Sequence, residues 1–176
     1  MDTEQALTKG LHWLNNLPRE KALAEFLKCC GSKNWARKLE ENRPFKSLEG
    51  LYSIADTTWW ALNSADWLEA FSAHPKIGER KANSQVSATS QAWSGQEQAG
   101  INDAAQATLQ ELATLNSQYE AKFGFIFIVC ATGKSSEEML AMLINRLENQ
   151  LSTELPIAAA EQAKITRLRL AKLLAQ

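Results

Sequence analysis

The chain has 176 residues, 45% of them hydrophobic and 22% charged, and a formal net charge of −1. That length suits one domain with a real core, and the balanced charge leaves no long-range attraction for nucleic acid or an anionic membrane. No apolar run approaches the roughly 20 residues that span a bilayer, MDTEQALTKG is too polar for a secretory leader, and LAKLLAQ carries no recognisable address.

Helical signals dominate the chain. Leu11, Leu14 and Leu17 close a first amphipathic stretch at Pro18. REKALAEFLKCC follows, with Pro18 suited to its first turn and Gly31 to its stop. Ser32 can cap NWARKLEEN, which must end before Arg43-Pro44 because the residue ahead of proline avoids the helical region. Ser47 opens LEGLYSIADTTWWAL, and Ser64 can cap ADWLEAFSAH. Residues 76–93 lack periodicity and read as a loop. A long helix beginning at Asn102 or Asp103 closes at Gly124. Ser135 or Ser136 caps EEMLAMLINRLENQ, and a last helix runs from about Thr153 to the end.

FGFIFIVCAT, residues 123–132, breaks this pattern with a β-branched and aromatic run that has no second strand to pair with. The expectation is a single all-α domain over residues 1–176, a helical bundle with one extended segment, about 124–131, threaded through its core. Such a segment must find partners for its backbone N–H and C=O groups, and a ligand can use some of them. The three cysteines include the adjacent pair Cys29-Cys30, and no Cys/His spacing suits zinc. A reduced, metal-free protein is expected.

Three features carry candidate chemistry, each beside a structural alternative. Trp67, Phe71 and His74 fall at i, i+4 and i+7, and Pro75 forces an exit after the histidine. An imidazole at a helix end titrates near neutrality and suits acid–base work, although a core or capping role is the commoner one. Ser94-x-x-Glu97 matches a capping box, as does Ser135-x-x-Glu138. The first lies among Gly95, Gln98 and Gly100, where a helix N-terminus can receive anions and Glu97 and Gln98 can receive ureido N–H donors. On the last helix Ile165, Arg169 and Leu173 fall at i, i+4 and i+8, which sets a guanidinium in an apolar stripe. It needs a salt-bridge partner or a bound carboxylate. Arg146 reads as solvated, because Asn149 and Gln150 follow it, and Arg167 lies on a mixed face. The cysteines lack a basic neighbour that would make a thiolate.

Taken in order, HPKIG, S-x-x-E-Q, FGFIFIVCA and the terminal KITRLRLAKL, with CCGSKNWA and RPF near the start, make a specific set. The chain resembles the OHCU decarboxylases, which convert 2-oxo-4-hydroxy-4-carboxy-5-ureidoimidazoline to (S)-allantoin in urate catabolism. The resemblance covers nearly the whole chain. It implies an all-helical, homodimeric carboxy-lyase without metal or organic cofactor, in the cytoplasm since no peroxisomal signal ends the chain. It further implies that His74 is the catalytic acid–base group and that Glu97 polarises or orients the ring. Pro75, Ser94 and Gln98 would line the pocket, the backbone of Phe127, Ile128 and Val129 would meet the ureido end, and Arg169 would bind substrate. Lys76, Glu79 and Arg80 fall to the rim. Two other readings stay open: a lyase, hydrolase or tautomerase for another small ureido compound, and a helical interaction module in which these residues only cap and pair.

Overall fold

The computed structural model describes residues 3–77, 87–99 and 106–176. Among the described residues there are nine helices and no strand: α1 (Thr3–Asn16), α2 (Arg19–Cys29), α3 (Lys33–Glu41), α4 (Leu48–Trp60), α5 (Ser64–Ser72), α6 (Ala88–Glu97), α7 (Gln106–Phe123), α8 (Ser136–Leu147) and α9 (Leu151–Leu174).

Helix starts follow the local chemistry of orphan N–H groups. Ser32 accepts from Trp35 N at 3.2 Å, and Ser47 from Gly50 N at 3.0 Å. Ser135 accepts from Glu138 N while Glu138 accepts from Ser135 N, a complete capping box. Gly124 closes α7 with a φ of +79°, a left-handed value that a Cβ would strain. The residue that starts α7, expected at Asn102 or Asp103, lies outside the described residues.

Three expectations are corrected. The cap of α5 is Asn63, whose Oδ1 accepts from Asp66 N at 3.0 Å, so Ser64 is already helical. Residues 88–93 are helix rather than loop: Ser87 accepts from Ser90 N at 3.1 Å and starts α6, although its serines and threonine are poor helix formers without an amphipathic stripe. Ser94-x-x-Glu97 is consequently no capping box. Both residues sit in the second half of α6, and Ser94 Oγ donates back to Ser90 O at 3.0 Å.

The chain divides into two compact units, Met1–Ala70 with Ala163–Gln176, and Phe71–Gln162. In the first, α2 packs on α3 and α3 on α4. Phe26 meets Trp35 and Phe45 edge to face, at ring separations of 6.1 and 6.2 Å. The Trp35 indole donates to Ala55 O at 3.0 Å, which satisfies the polar edge of a fully buried ring. Arg43 gathers the last carbonyls of α1, donating to Leu14 O and Leu17 O at 2.8 Å each. Gly10 on α1 meets α9 so closely that a Cβ there would lie 1.9 Å from Leu174 O.

In the second unit α7 packs on α8. Tyr119, Phe123, Phe125 and Phe127 form a ring cluster with separations from 4.6 to 6.1 Å. Residues 125–131 are neither helix nor strand, yet all but Ile126 are buried. Arg146 crosses this stretch, donating to Ile128 O at 2.7 Å and lying 4.6 Å over the Phe127 ring. Its Nε donates to Glu154 Oε1 at 2.7 Å, and Glu154 also accepts from the Tyr119 hydroxyl. The expectation of a solvated Arg146 is overturned: it is 5% exposed, and Glu154 compensates the buried charge. Burial, then the hydrogen bond to Glu154, pushes the Tyr119 phenol well above its ordinary value.

Two substitutions test this packing. Gly10→Ala drives a methyl group into backbone, so it should destabilise by about 1–3 kcal/mol in urea unfolding; an unchanged midpoint would contradict the close approach. Glu154→Gln strips the partner from a buried guanidinium and should cost about 3–5 kcal/mol, read as a lowered urea midpoint.

Candidate functional site

His74 does not continue α5, so the expected shared face with Trp67 and Phe71 is interrupted. The helix ends at Ser72, and His74 N donates to Phe71 O at 3.1 Å in one further turn. Pro75 has no N–H with which to extend it. The imidazole is half-buried, and its Nε2 lies 2.6 Å from Oε1 of Gln162, a fully buried residue of α9. An amide oxygen only accepts, so in this pair Nε2 carries the hydrogen.

One residue earlier on α9, Glu161 is 5% exposed and accepts the Cys130 N–H at 2.7 Å. Lys134 Nζ donates to Cys130 O at 2.7 Å, so both backbone groups of Cys130 are held. The Cys130 thiol is raised above its ordinary value, by burial first; Lys134 opposes this, and the negative charges of Glu161 and Glu97 add to it. Glu97, the last residue of α6 and 8% exposed, thus stands with Glu161 around Cys130. Ser94 is buried one turn before Glu97, and Gln98 is the half-buried cap of α6. Pro75 is half-buried beside His74.

Phe127, Ile128 and Val129 are buried. Arg146 takes the Ile128 carbonyl, whereas among the described residues no group accepts from the N–H of Ile128 or Val129. The second unit therefore assembles a histidine, two buried carboxylates and a stretch of polar backbone. Among the described residues no three His, Cys, Asp or Glu side chains gather as a metal-binding group.

Arg169 belongs to the first unit. It is 5% exposed, its Nη1 lies 3.4 Å from Lys28 O, and its charge bears on the Cys29 and Cys30 thiols. Burial outweighs that cation: the Cys30 thiol is pushed up to about 12 and Cys29 higher, so neither is a thiolate at neutral pH. The neighbouring arginines are separated by their surroundings. Arg146 is held by Glu154, and Arg167 lies exposed, 4.3 Å over the Tyr52 ring.

Sequence reasoning missed Glu161 and Gln162. The signal was the apolar stripe of Ile165, Arg169 and Leu173: carried back one and two turns from Arg169, it reaches Ile165 and then Glu161-Gln162. Both are polar residues on the buried side of a helix, where they need partners.

Among the described residues, a helical frame thus holds His74 against Gln162 in the same unit as the buried carboxylates Glu97 and Glu161. The chain belongs to the OHCU decarboxylase family, whose model matches residues 15–171. It is 44% identical over 149 residues to the uric acid degradation bifunctional protein TTL of Arabidopsis thaliana, which covers 85% of this chain and 46% of that one. It is 30% identical over 138 residues to a 2-oxo-4-hydroxy-4-carboxy-5-ureidoimidazoline decarboxylase of Halalkalicoccus jeotgali, across 78% of this chain and 76% of that one. The chain thus spans about half the length of its Arabidopsis relative. A crystal structure of OHCU decarboxylase in the presence of (S)-allantoin superposes with a TM-score of 0.73 at 42% identity, covering 87% of this chain and 99% of that one.

The buried thiols predict how stability varies with pH. An unfolded Cys30 ionises near 9.0, whereas the folded one does so near about 12. The unfolded state therefore loses its proton first, and stability present below pH 9 should fall as pH rises from 9 toward 12. The slope is at most about 1.4 kcal/mol per pH unit for one thiol. Urea unfolding from pH 8 to 11 measures it, and Cys30→Ala should flatten the curve.

Proposed function

We propose that this protein decarboxylates OHCU to (S)-allantoin in urate breakdown, with His74 as its acid–base group. The observation that carries the reading is the half-buried imidazole fixed at 2.6 Å by Gln162, in a chain that belongs to the OHCU decarboxylase family.

The substrate favours catalysis without a metal or organic cofactor. Its carboxylate and a hydroxyl share one ring carbon, next to a carbon that bears the ureido group and is doubly bonded to nitrogen. When the carbon–carboxylate bond breaks, carbon dioxide leaves, its electron pair forms a double bond between the two ring carbons, and the ring nitrogen takes up the charge and a proton. The hydroxyl carbon then becomes a carbonyl as its proton departs, and a proton added to one face of the ureido carbon sets the S configuration. The protein must orient the ring and move protons.

His74 Nδ1 takes the hydroxyl proton. Glu97, with Ser94 and Gln98 around it, receives ring and ureido N–H donors and orients the ring. Pro75 closes the wall beside His74, and the backbone of Phe127, Ile128 and Val129 meets the ureido arm. Arg169 binds the substrate's anionic group; of the three arginines weighed, it is the buried one that Glu154 does not hold. The enzyme works in the cytoplasm as a homodimer. Three unbridged cysteines suit a reducing compartment, and exposed Trp60 and Leu68 on the first unit offer apolar surface for a second copy.

Freshly generated OHCU should be converted to (S)-allantoin faster than it decays spontaneously; a racemic product at the spontaneous rate overturns the reading. His74→Ala should lower kcat by about 10²–10⁴-fold, the usual range for a general acid–base group, with the helical circular-dichroism spectrum kept. Glu97→Gln should lower the rate while leaving the urea midpoint nearly unchanged, since Ser87 and not Glu97 starts α6 and the swap keeps the side chain's size.

A further inference from the structure

The proposed reading needs His74 to present one nitrogen to the substrate, and the ring alone does not specify which. Neutral imidazole exists in two tautomers, and rotation about its side chain exchanges what each nitrogen faces. His74 stands beyond the end of α5, in a turn closed by its N–H donating to Phe71 O at 3.1 Å. The ring nevertheless has a rigid partner. Gln162 is 0% exposed, lies inside the 24-residue helix α9, and puts Oε1 2.6 Å from Nε2. Its neighbour Glu161 is fixed by the Cys130 N–H at 2.7 Å, so this turn of α9 is anchored independently of His74.

We infer that Gln162 is a positioning residue: it holds His74 in the Nε2–H tautomer, with Nδ1 as the nitrogen that exchanges protons with substrate. This rests on the acid–base role proposed for His74. An amide suits that role because it accepts a hydrogen bond without adding charge. A carboxylate at the same place would favour the imidazolium and raise the histidine pKa by about 1–3 units. Glutamine orients the ring without that added charge.

Two near-isosteric variants test the inference. Gln162→Met removes the acceptor, and Gln162→Glu keeps it but adds charge. Long-range ¹H–¹⁵N spectra report the tautomer and pKa of His74 without any turnover; the other histidine, exposed His12 beside Asn16, serves as internal control. Wild type should show a single Nε2–H tautomer. Gln162→Met should show a mixture, with kcat reduced on the order of 10²-fold, as for a misplaced catalytic group, and KM little changed. Gln162→Glu should raise the His74 pKa by about one unit or more and move the acidic limb of the kcat/KM profile upward with it. Unchanged His74 tautomer and pKa in both variants overturn the inference. The expected spectral changes in both variants, with a wild type that leaves OHCU unconverted, would uphold the positioning and overturn the decarboxylase reading instead.

Discussion

A buried stretch of chain that forms neither helix nor strand must find a partner for each backbone polar group, since an unmet one costs about as much as a lost hydrogen bond. Residues 125–131 set this condition for the second unit. Three charged side chains from three places meet part of it: Arg146 of α8 takes the Ile128 carbonyl, Glu161 of α9 the Cys130 N–H, and Lys134 the Cys130 carbonyl. Burying those charges raises a second condition, most severe for Arg146. Glu154 meets it with both oxygens engaged, one by Arg146 and Tyr119 and the other by Asn149 at 2.8 Å. A pair of this kind adds little net stability over an apolar core but strongly disfavours any arrangement that separates its members. It therefore fixes where the segment runs more than how stable the protein is.

The same economy shapes α9. Glu161 and Gln162 are consecutive, so their side chains point about 100° apart around the helix. Glu161 reaches the backbone of Cys130 and Gln162 reaches the ring of His74. One turn of one helix thus ties together two parts of the chain that lie 56 residues apart, from His74 to Cys130. A helix gives this precision because its interior backbone bonds are already made, leaving only the side-chain torsions to be fixed by packing.

How far the sequence disclosed this structure depended on the range of the interaction. Several caps made within four residues were legible: Ser32, Ser47 and Ser135 each meet an N–H three residues on, and Gly124 takes the left-handed turn that its lack of a Cβ allows, whereas Asn63 and Ser87, just as local, were passed over. Ser94-x-x-Glu97 shows the limit of that logic. It has the same spelling as Ser135-x-x-Glu138, but Ser87 starts the helix earlier and leaves Ser94 and Glu97 in its second half, Glu97 at its end. Arg146 failed for the opposite reason. Its neighbours Asn149 and Gln150 looked solvated, yet Asn149 is itself bonded to Glu154, and only the folded chain brings Ile128 across. The motifs HPKIG and S-x-x-E-Q marked His74 and Glu97 as candidates, in a chain that belongs to the OHCU decarboxylase family over residues 15–171. Gln162 belongs to no such string, and its partner stands 88 residues away.

That distant amide bears on the chemistry more directly than the motifs do. In the proposed reaction one proton leaves the substrate hydroxyl and another arrives at the neighbouring carbon, so the histidine must be able to accept and to release within a turnover. A partner that stabilised imidazolium strongly would favour the first step at the expense of the second, and an apolar neighbour would leave the ring unoriented. Glutamine at 2.6 Å avoids both: it accepts from Nε2–H, fixing orientation, and carries no charge of its own. Next to it on α9, Glu161 accepts the Cys130 N–H, and Lys134 donates to the Cys130 carbonyl. The side chains that hold the Cys130 backbone are thus charged, whereas the Gln162 amide bonded to His74 is neutral.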